Sequence, residues 1–370
     1  MKVVIAVSLV SAVLGTIHAF SVFIDPLEAS FAASRSAVSL TYSLALVSLT
    51  SAVLVGPRLF GRWSAAAFIA GACAFAALGA VVAALAPSLP MVWLGYSLIF
   101  GAANGLGYGF GLQLAAQVSP GREGFAMGVV TAAYALGAAL SPALFEGAGG
   151  FTNAMLGLAA ALAVAGAVSA IMLRGVRFAP GSAAGGAQAP AQEQILLWLG
   201  YFGAVLAGLM VIGHAAEIAR SFAAPAPAWV APMLIAIANL GGSIACGRAA
   251  DHVPGGRILI ALAAATAATA FALASLGGAV LVALALVGFC YGGAIAVFPA
   301  VIAKRYGMAA SARVYGRVFT AWGAAGLAGP WLAGALFDRS GDYDAALFTA
   351  AAVGLAGAAA FSLLFARPRL

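Results

Sequence analysis

Apolar residues run along this chain in stretches of about twenty, each closed by a short polar turn, and the pattern recurs twelve times. The stretches cover about 3–24, 36–57, 64–86, 90–118, 123–146, 151–173, 195–218, 228–250, 258–276, 279–303, 314–337 and 345–366. A helix needs roughly 20 apolar residues to cross the hydrocarbon core of a bilayer. Backbone amides and carbonyls inside lipid must find partners within the protein, which favours helices here, since the alternating pattern of β-barrel strands is absent. The chain is therefore predicted to be an all-α membrane protein of twelve transmembrane helices. One segment between the sixth and seventh stretches, 175–193 (GVRFAPGSAAGGAQAPAQE), is rich in Gly, Ala and Pro and has no period. It reads as a linker between a six-helix half at 1–174 and another at 194–370.

The halves look related. A shift of 188 residues places Gly128 on Gly316, Tyr134 on Trp322 and Pro142 on Pro330, so the fifth and eleventh stretches share a Gly, aromatic, Pro frame. Internal duplication accounts for this, and the two-half organisation expects it.

Charge sets the orientation. The chain is 64% hydrophobic and carries 17 Lys and Arg against 10 Asp and Glu. With the N-terminus in the cytoplasm, that face holds Lys2, Arg58, Arg62, Arg122, Arg174, Arg177, Arg248, Arg257, Lys304, Arg305, Arg313, Arg317, Arg367 and Arg369. Only Arg35, Arg220 and Arg339 fall outside. Such an excess of basic residues in short loops marks the cytoplasmic side, so both termini are expected in the cytoplasm and the chain in the inner (plasma) membrane. The formal charge of +7 thus describes short loops between helices, and a nucleic-acid face, which needs a continuous basic surface, is not expected. The first stretch runs on to Ile24, too far for a cleaved signal segment, and is read as a retained helix. Cys73, Cys246 and Cys290 lie within the stretches without metal-ligand spacing, and no metal is expected.

Polar side chains at membrane depth are costly and therefore candidates for function. His18 in the first stretch and His214 with Glu217 in the seventh are the ionisable groups most clearly embedded. Glu217 follows His214 by three residues, on nearly the same helical face, where a carboxylate could share a proton with the imidazole. The other reading of Glu217 is a solvated pair with Arg220 at the outer interface. Asn104 and Tyr108 fall in the fourth stretch, Tyr134 in the fifth, Asn239 and Ser243 four apart in the eighth, Phe298 in the tenth and Trp322 in the eleventh. Amides and hydroxyls in such helices often only bond a neighbouring helix; their recurrence at similar depth in both halves favours a lined cavity. Gly- and Ala-dense runs (GAANGLGYGFG, TAAYALGAALSP, TAWGAAGLAGP) allow close helix packing, and Pro142 and Pro330 can kink their helices. No phosphate loop is present, no nucleotide or other cofactor is expected, and no acid, base and nucleophile cluster suggests an enzyme.

Several segments carry a resemblance: GTIHAFSVFIDPL at 15–27, GLGYGFGLQLAAQVSPGREGFAMG at 105–128, GLMVIGHAAEIA at 208–219, YGGAIAVFPAVIAKRYG at 291–307 and, most specifically, YGRVFTAWGAAGLAGPWLAGALFDRSGDYDAALF at 315–348. Over nearly the whole chain they resemble the oxalate/formate antiporter and monocarboxylate transporter branch of the major facilitator superfamily. The resemblance implies the two-half major facilitator fold and a carrier of a small organic anion, coupled to protons or to exchange and working as a monomer by alternating access in the lipid bilayer. It also exposes a departure. That branch usually places an arginine in span eight four residues after the asparagine, and here that position is Ser243; its dicarboxylate carriers place a lysine in span eleven at or next to the position of Trp322. Ser cannot fork around a carboxylate as Arg does, so the solute is expected to meet neutral donors and a protonated histidine, or else not to be a simple carboxylate.

The expected substrate site comprises Tyr108, Asn239, Ser243 and Trp322, with Asn104, Tyr134 and Phe298 around it, and His18, His214 or Glu217 carries the proton. The alternatives are an exporter of drug-like or other metabolites on the same fold, and a non-transporting membrane sensor. The loop after span eight, GRAADHVPGGR, keeps the superfamily's gate pattern in Gly247, Asp251 and Arg257, whereas the matching first-half loop has Arg58 where an acid is expected. Asp251→Asn is therefore predicted to shift the protein toward inward-facing states, read as cysteine accessibility on the two faces; unchanged accessibility refutes the gate.

Overall fold

The computed structural model describes residues 1–119, 123–178, 190–222, 224, 226–276, 279–306 and 314–366, with the side chains of 123–125, 251 and 303 left aside. Among them the chain forms helices and no strands. It divides into two compact units, Met1–Ser182 and Ala183–Leu370.

Eleven helices are long and apolar enough to cross a membrane: Lys2–Phe31, Arg35–Arg58, Ala65–Ala84, Leu89–Gln117, Ala126–Gly147 and Phe151–Met172 in the first unit, then Ala191–Ile212, Val230–Ala250, Gly255–Leu276, Val280–Tyr306 and Asp344–Phe365 in the second. The remaining crossing expected from the sequence is the helix Thr320–Ser340. Its Gly, Trp and Pro residues dilute its hydropathy, which explains why it stands apart from the eleven. The linker core, 179–189, lies outside the described residues.

Span one departs from the uniform helix that its apolar run suggests. It is α-helical over Lys2–Leu14, winds as a tighter 3-10 helix over Gly15–Phe23 and resumes as α-helix over Ile24–Phe31. Span four is wound the other way, as a π-helix, over Trp93–Phe100. Such irregular turns weaken the regular hydrogen-bond ladder, and side chains compensate for it. The Asn104 amide donates to the Leu14 carbonyl at 2.6 Å, and the Tyr96 hydroxyl donates to Ile17 at 3.1 Å. Span seven is interrupted outright, with a turn at Gly213–His214 between Ala191–Ile212 and a short helix, Ala215–Ser221.

Close crossings hold each unit together. A methyl group on Gly15 would sit 1.9 Å from the Tyr134 carbonyl oxygen, and one on Gly137 would sit 1.7 Å from that of Ala12, so spans one and five meet backbone to backbone. In the second unit a methyl on Gly292 would lie 2.0 Å from the Asn239 carbonyl oxygen, fixing spans eight and ten just as tightly. Only a residue without Cβ permits these approaches. At the turn between spans one and two, buried Arg35 forks onto Glu28 with two bonds of 2.7 Å and reaches Asp25 at 2.5 Å.

Gly137→Ala is expected to lower stability by about 1–3 kcal/mol because the new methyl meets backbone, which cannot rotate away. Gly128→Ala, with open space around it, should stay within ~0.5 kcal/mol of the parent. Thermal unfolding of the detergent-solubilised protein measures both, and equal losses would refute the crossing.

Candidate functional site

In the first unit the structure gathers four of the expected residues into one polar node. The 3-10 winding carries His18 on span one, and its Nδ1 lies 2.7 Å from the Tyr42 hydroxyl of span two. Tyr42 is itself fully buried, its ring parallel to that of Phe20 at 6.0 Å. On another side the His18 ring meets Tyr134 of span five edge-on at 5.6 Å. The Tyr134 hydroxyl donates to Asn104 Oδ1 at 3.2 Å, and its ring lies 4.5 Å from that of Tyr108. The Tyr108 hydroxyl in turn is 3.2 Å from Thr131 Oγ1. Asn104 is completely buried between Leu14 and Tyr134, so it is an anchor of the node, while His18 and Tyr108 are partly exposed.

The imidazole of His18 is only half engaged. Among the described residues Nε2 has no hydrogen-bond partner. At Nδ1 the tyrosine hydroxyl suits either charge state, since it donates to the neutral ring and accepts from the imidazolium. The histidine can therefore gain or lose a proton without breaking the contact that orients it.

His214 is placed quite differently. It sits at the break in span seven with no exposed surface. Its Nε2 donates to the Pro330 carbonyl of span eleven at 2.8 Å, and Nδ1 is 2.9 Å from the Tyr343 hydroxyl. Both nitrogens are occupied in joining three chain segments. Glu217 is 3% exposed and pairs with Arg220 at 3.1 Å.

The other expected residues of the second unit form separate contacts. The Ser243 hydroxyl donates to the Gly292 carbonyl at 3.0 Å and stands 3.5 Å from Asn239 Oδ1, so the pair shares a face turned toward span ten. Trp322 donates its indole N–H to the Tyr291 hydroxyl at 2.8 Å and stacks on Phe319. Phe298 is fully buried and lies flat on Tyr201, ring centres 3.9 Å apart, which makes it a packing residue. A methyl on Gly247 would meet Ala296 at 4.0 Å, Arg257 is exposed, and the Asp251 side chain lies outside the described residues. Lys304 donates to the Ala250 carbonyl at 2.6 Å, at the end of span eight. Tyr42, Thr131, Tyr291 and Tyr343 were not singled out from the sequence; each is a tyrosine or threonine within or beside an apolar run, and that signal alone could have flagged them.

No family model matches the chain. An uncharacterized MFS-type transporter of Escherichia coli, YhjX, is 25% identical over 342 residues, which cover 84% of this chain and 81% of that protein. The oxalate:formate antiporter of Oxalobacter formigenes is 25% identical over 378 residues, covering 94% and 87%. The inward-open xylose transporter of E. coli superposes with a TM-score of 0.78 at 14% identity, over 97% of this chain and 94% of that one. A bacterial homologue of the human lysosomal transporter Spinster does so with a TM-score of 0.72 at 13% identity, over 98% and 94%. This chain has the major facilitator fold. The structural likenesses carry the twelve-helix architecture alone, and both sequence relatives are named as transporters.

Within this fold the two histidines should separate in stability. His214→Ala removes a ring that satisfies Tyr343 and the Pro330 carbonyl and leaves a cavity, so a loss of about 2–4 kcal/mol is expected. His18→Ala removes one hydrogen bond at a partly exposed position and should cost about 1 kcal/mol. Thermal unfolding of the two variants checks the contrast; similar losses would mean that both rings are structural.

Proposed function

We propose that this chain is a major facilitator superfamily transporter that carries a small monoanionic organic solute, driven by protons or by exchange, through alternating access. The observation that carries the reading is His18, an orientable imidazole with a spare nitrogen in the irregular turn of span one, beside the Tyr134, Tyr108 and Thr131 side chains. A protonated imidazole forms a charge-assisted bond to a carboxylate, and phenol and alcohol hydroxyls add neutral donors. That chemistry matches the expectation raised by Ser243, which offers no guanidinium. The name of the O. formigenes relative, an oxalate:formate antiporter, supports a small carboxylate as the solute class. The basic excess of the loops joined to the N-terminal end of span one supports an inner-membrane orientation with both termini cytoplasmic. His18 is the proposed proton carrier. Tyr108 and Tyr134, anchored by Asn104, are the proposed solute-binding residues of the first unit, and Asn239, Ser243 and Trp322 those of the second; the gate assignment to Gly247, Asp251 and Arg257 stands as a proposal beside them. The contacts of His214 and Phe298 support packing roles for both.

Uptake into proteoliposomes tests this reading, with lactate, pyruvate, formate and oxalate compared with and without an inward proton gradient. A monocarboxylate should be moved, and His18→Ala should cut that flux on the order of tenfold or more, the worth of one charge-assisted hydrogen bond. If no monocarboxylate is moved or competes, the substrate class is wrong. Transport of hydrophobic cations instead would favour the exporter.

A further inference from the structure

The end of the first unit at which the chain begins carries four arginines whose side chains no described residue engages. They lie on two segments, the turn after span two (56–63) and the stretch after span six (173–178), which the fold fastens together. The Ala65 amide donates to the Val176 carbonyl at 3.1 Å, and the Phe60 and Phe178 rings meet edge-on at 5.7 Å. Gln117 at the end of span four donates to the Arg177 carbonyl at 3.3 Å. The Ser169 hydroxyl donates to the Ala6 carbonyl at 2.8 Å, which brings the start of span one, and so Lys2, to the same rim. Arg58, Arg62, Arg174 and Arg177 are all exposed, and none has a side-chain hydrogen bond or ion pair among the described residues. Trp63, beside Arg62, is 55% exposed.

The acids of this unit are mostly committed elsewhere. Asp25 and Glu28 hold Arg35 in the turn between spans one and two, and Glu146 closes span five. Glu123 opens span five, and its side chain lies outside the described residues. In the second unit more of the basic residues are engaged: Arg305 is forked onto Glu193 with two bonds of 2.9 Å, Lys304 caps the end of span eight, and Arg317 reaches Gln194 at 3.5 Å, while Arg248 and Arg257 are exposed. Among the described residues the first unit thus presents a concentrated positive rim with no acidic side chain paired to it.

We propose that this rim binds the phosphate headgroup of an anionic phospholipid. The rim lies at the ends of membrane spans, so the phosphates within its reach are those of the adjoining leaflet. Guanidinium groups take phosphate oxygens in pairs, and an exposed indole at the end of a span lies at headgroup depth, where its ring is half in hydrocarbon. The orientation proposed above makes this the cytoplasmic leaflet, where clustered Lys and Arg attract anionic lipid.

Native mass spectrometry of the purified full-length protein tests this, with dioctanoyl phosphatidylglycerol compared against dioctanoyl phosphatidylcholine. Wild-type protein should retain the anionic lipid at least about tenfold better. The triple variant Arg62→Gln, Arg174→Gln, Arg177→Gln should lose most of that preference, and the matching Arg→Lys triple should keep most of it. Arg248→Gln, Arg257→Gln, Arg317→Gln, which removes the same charge from the second unit, should leave it intact. The proposal fails if wild type shows no preference, if both Gln triples lose it equally, or if an excess of inorganic phosphate displaces the lipid, which would make this a soluble-anion site. The wild-type comparison and the phosphate competition decide the matter even if a triple variant does not fold.

Discussion

Inside hydrocarbon, a backbone amide or carbonyl without a partner is so costly that the continuous helix is the default and every departure from it must be repaired by a side chain. Among the described residues, spans one, four and seven depart from it. The tight turn of span one is repaired by Asn104 and Tyr96, each donating to one of its carbonyls. The π-turn of span four carries Ser97, whose hydroxyl donates to the Thr41 carbonyl at 2.6 Å and so ties spans four and two. The break in span seven is bridged by His214 to Pro330 and Tyr343. Most of the buried polar side chains at these positions are there because the helices are irregular.

The same constraint explains why two histidines in matching spans have such different surroundings. His18 lies within a continuous turn whose carbonyls are served by other residues, so its own ring is not needed to mend the backbone. One nitrogen meets Tyr42 and the other is spare. His214 lies at a true interruption, and its ring joins the two sides to span eleven with both nitrogens. Sequence position alone does not separate these cases, because both read as one histidine in an apolar run.

The spans themselves were legible because their signal is long and strongly apolar, and eleven of the expected twelve stand out in the structure by length and hydropathy. The eleventh stretch was legible by its place in the pattern and by its frame of Gly, Trp and Pro, although those residues weaken its hydropathy. The winding of span one was not legible: between Gly15 and Phe23 no proline or repeated glycine announces a 3-10 turn, and tertiary packing against Tyr134 and Asn104 selects it. Asn104 and Phe298 were read as lining a cavity because a polar or aromatic residue in a span leaves several roles open. Their full burial, one bonded to Leu14 and the other flat on Tyr201, comes from neighbours more than 80 residues away in sequence, which periodicity cannot register.

The scarcity of fixed positive charge within the spans acquires its meaning from how the described cations are used. Arg35 is held by Asp25 and Glu28, Arg220 by Glu217 and Arg305 by Glu193. The position where the resembled branch has an arginine, Ser243, faces span ten, its hydroxyl bonded to the Gly292 carbonyl. Gly292 is itself pressed so closely against Asn239 that a single methyl would collide. A guanidinium at 243 would have to turn away from this contact, so the serine and the tight crossing of spans eight and ten belong together. In the proposed reading the solute then meets one protonatable imidazole and several neutral hydroxyls. One imidazolium balances one carboxylate, whereas a dianion would carry an unbalanced charge into a weakly polar site, where desolvation is poorly repaid. In that reading, solutes are selected by the number of charges they carry before they are selected by shape.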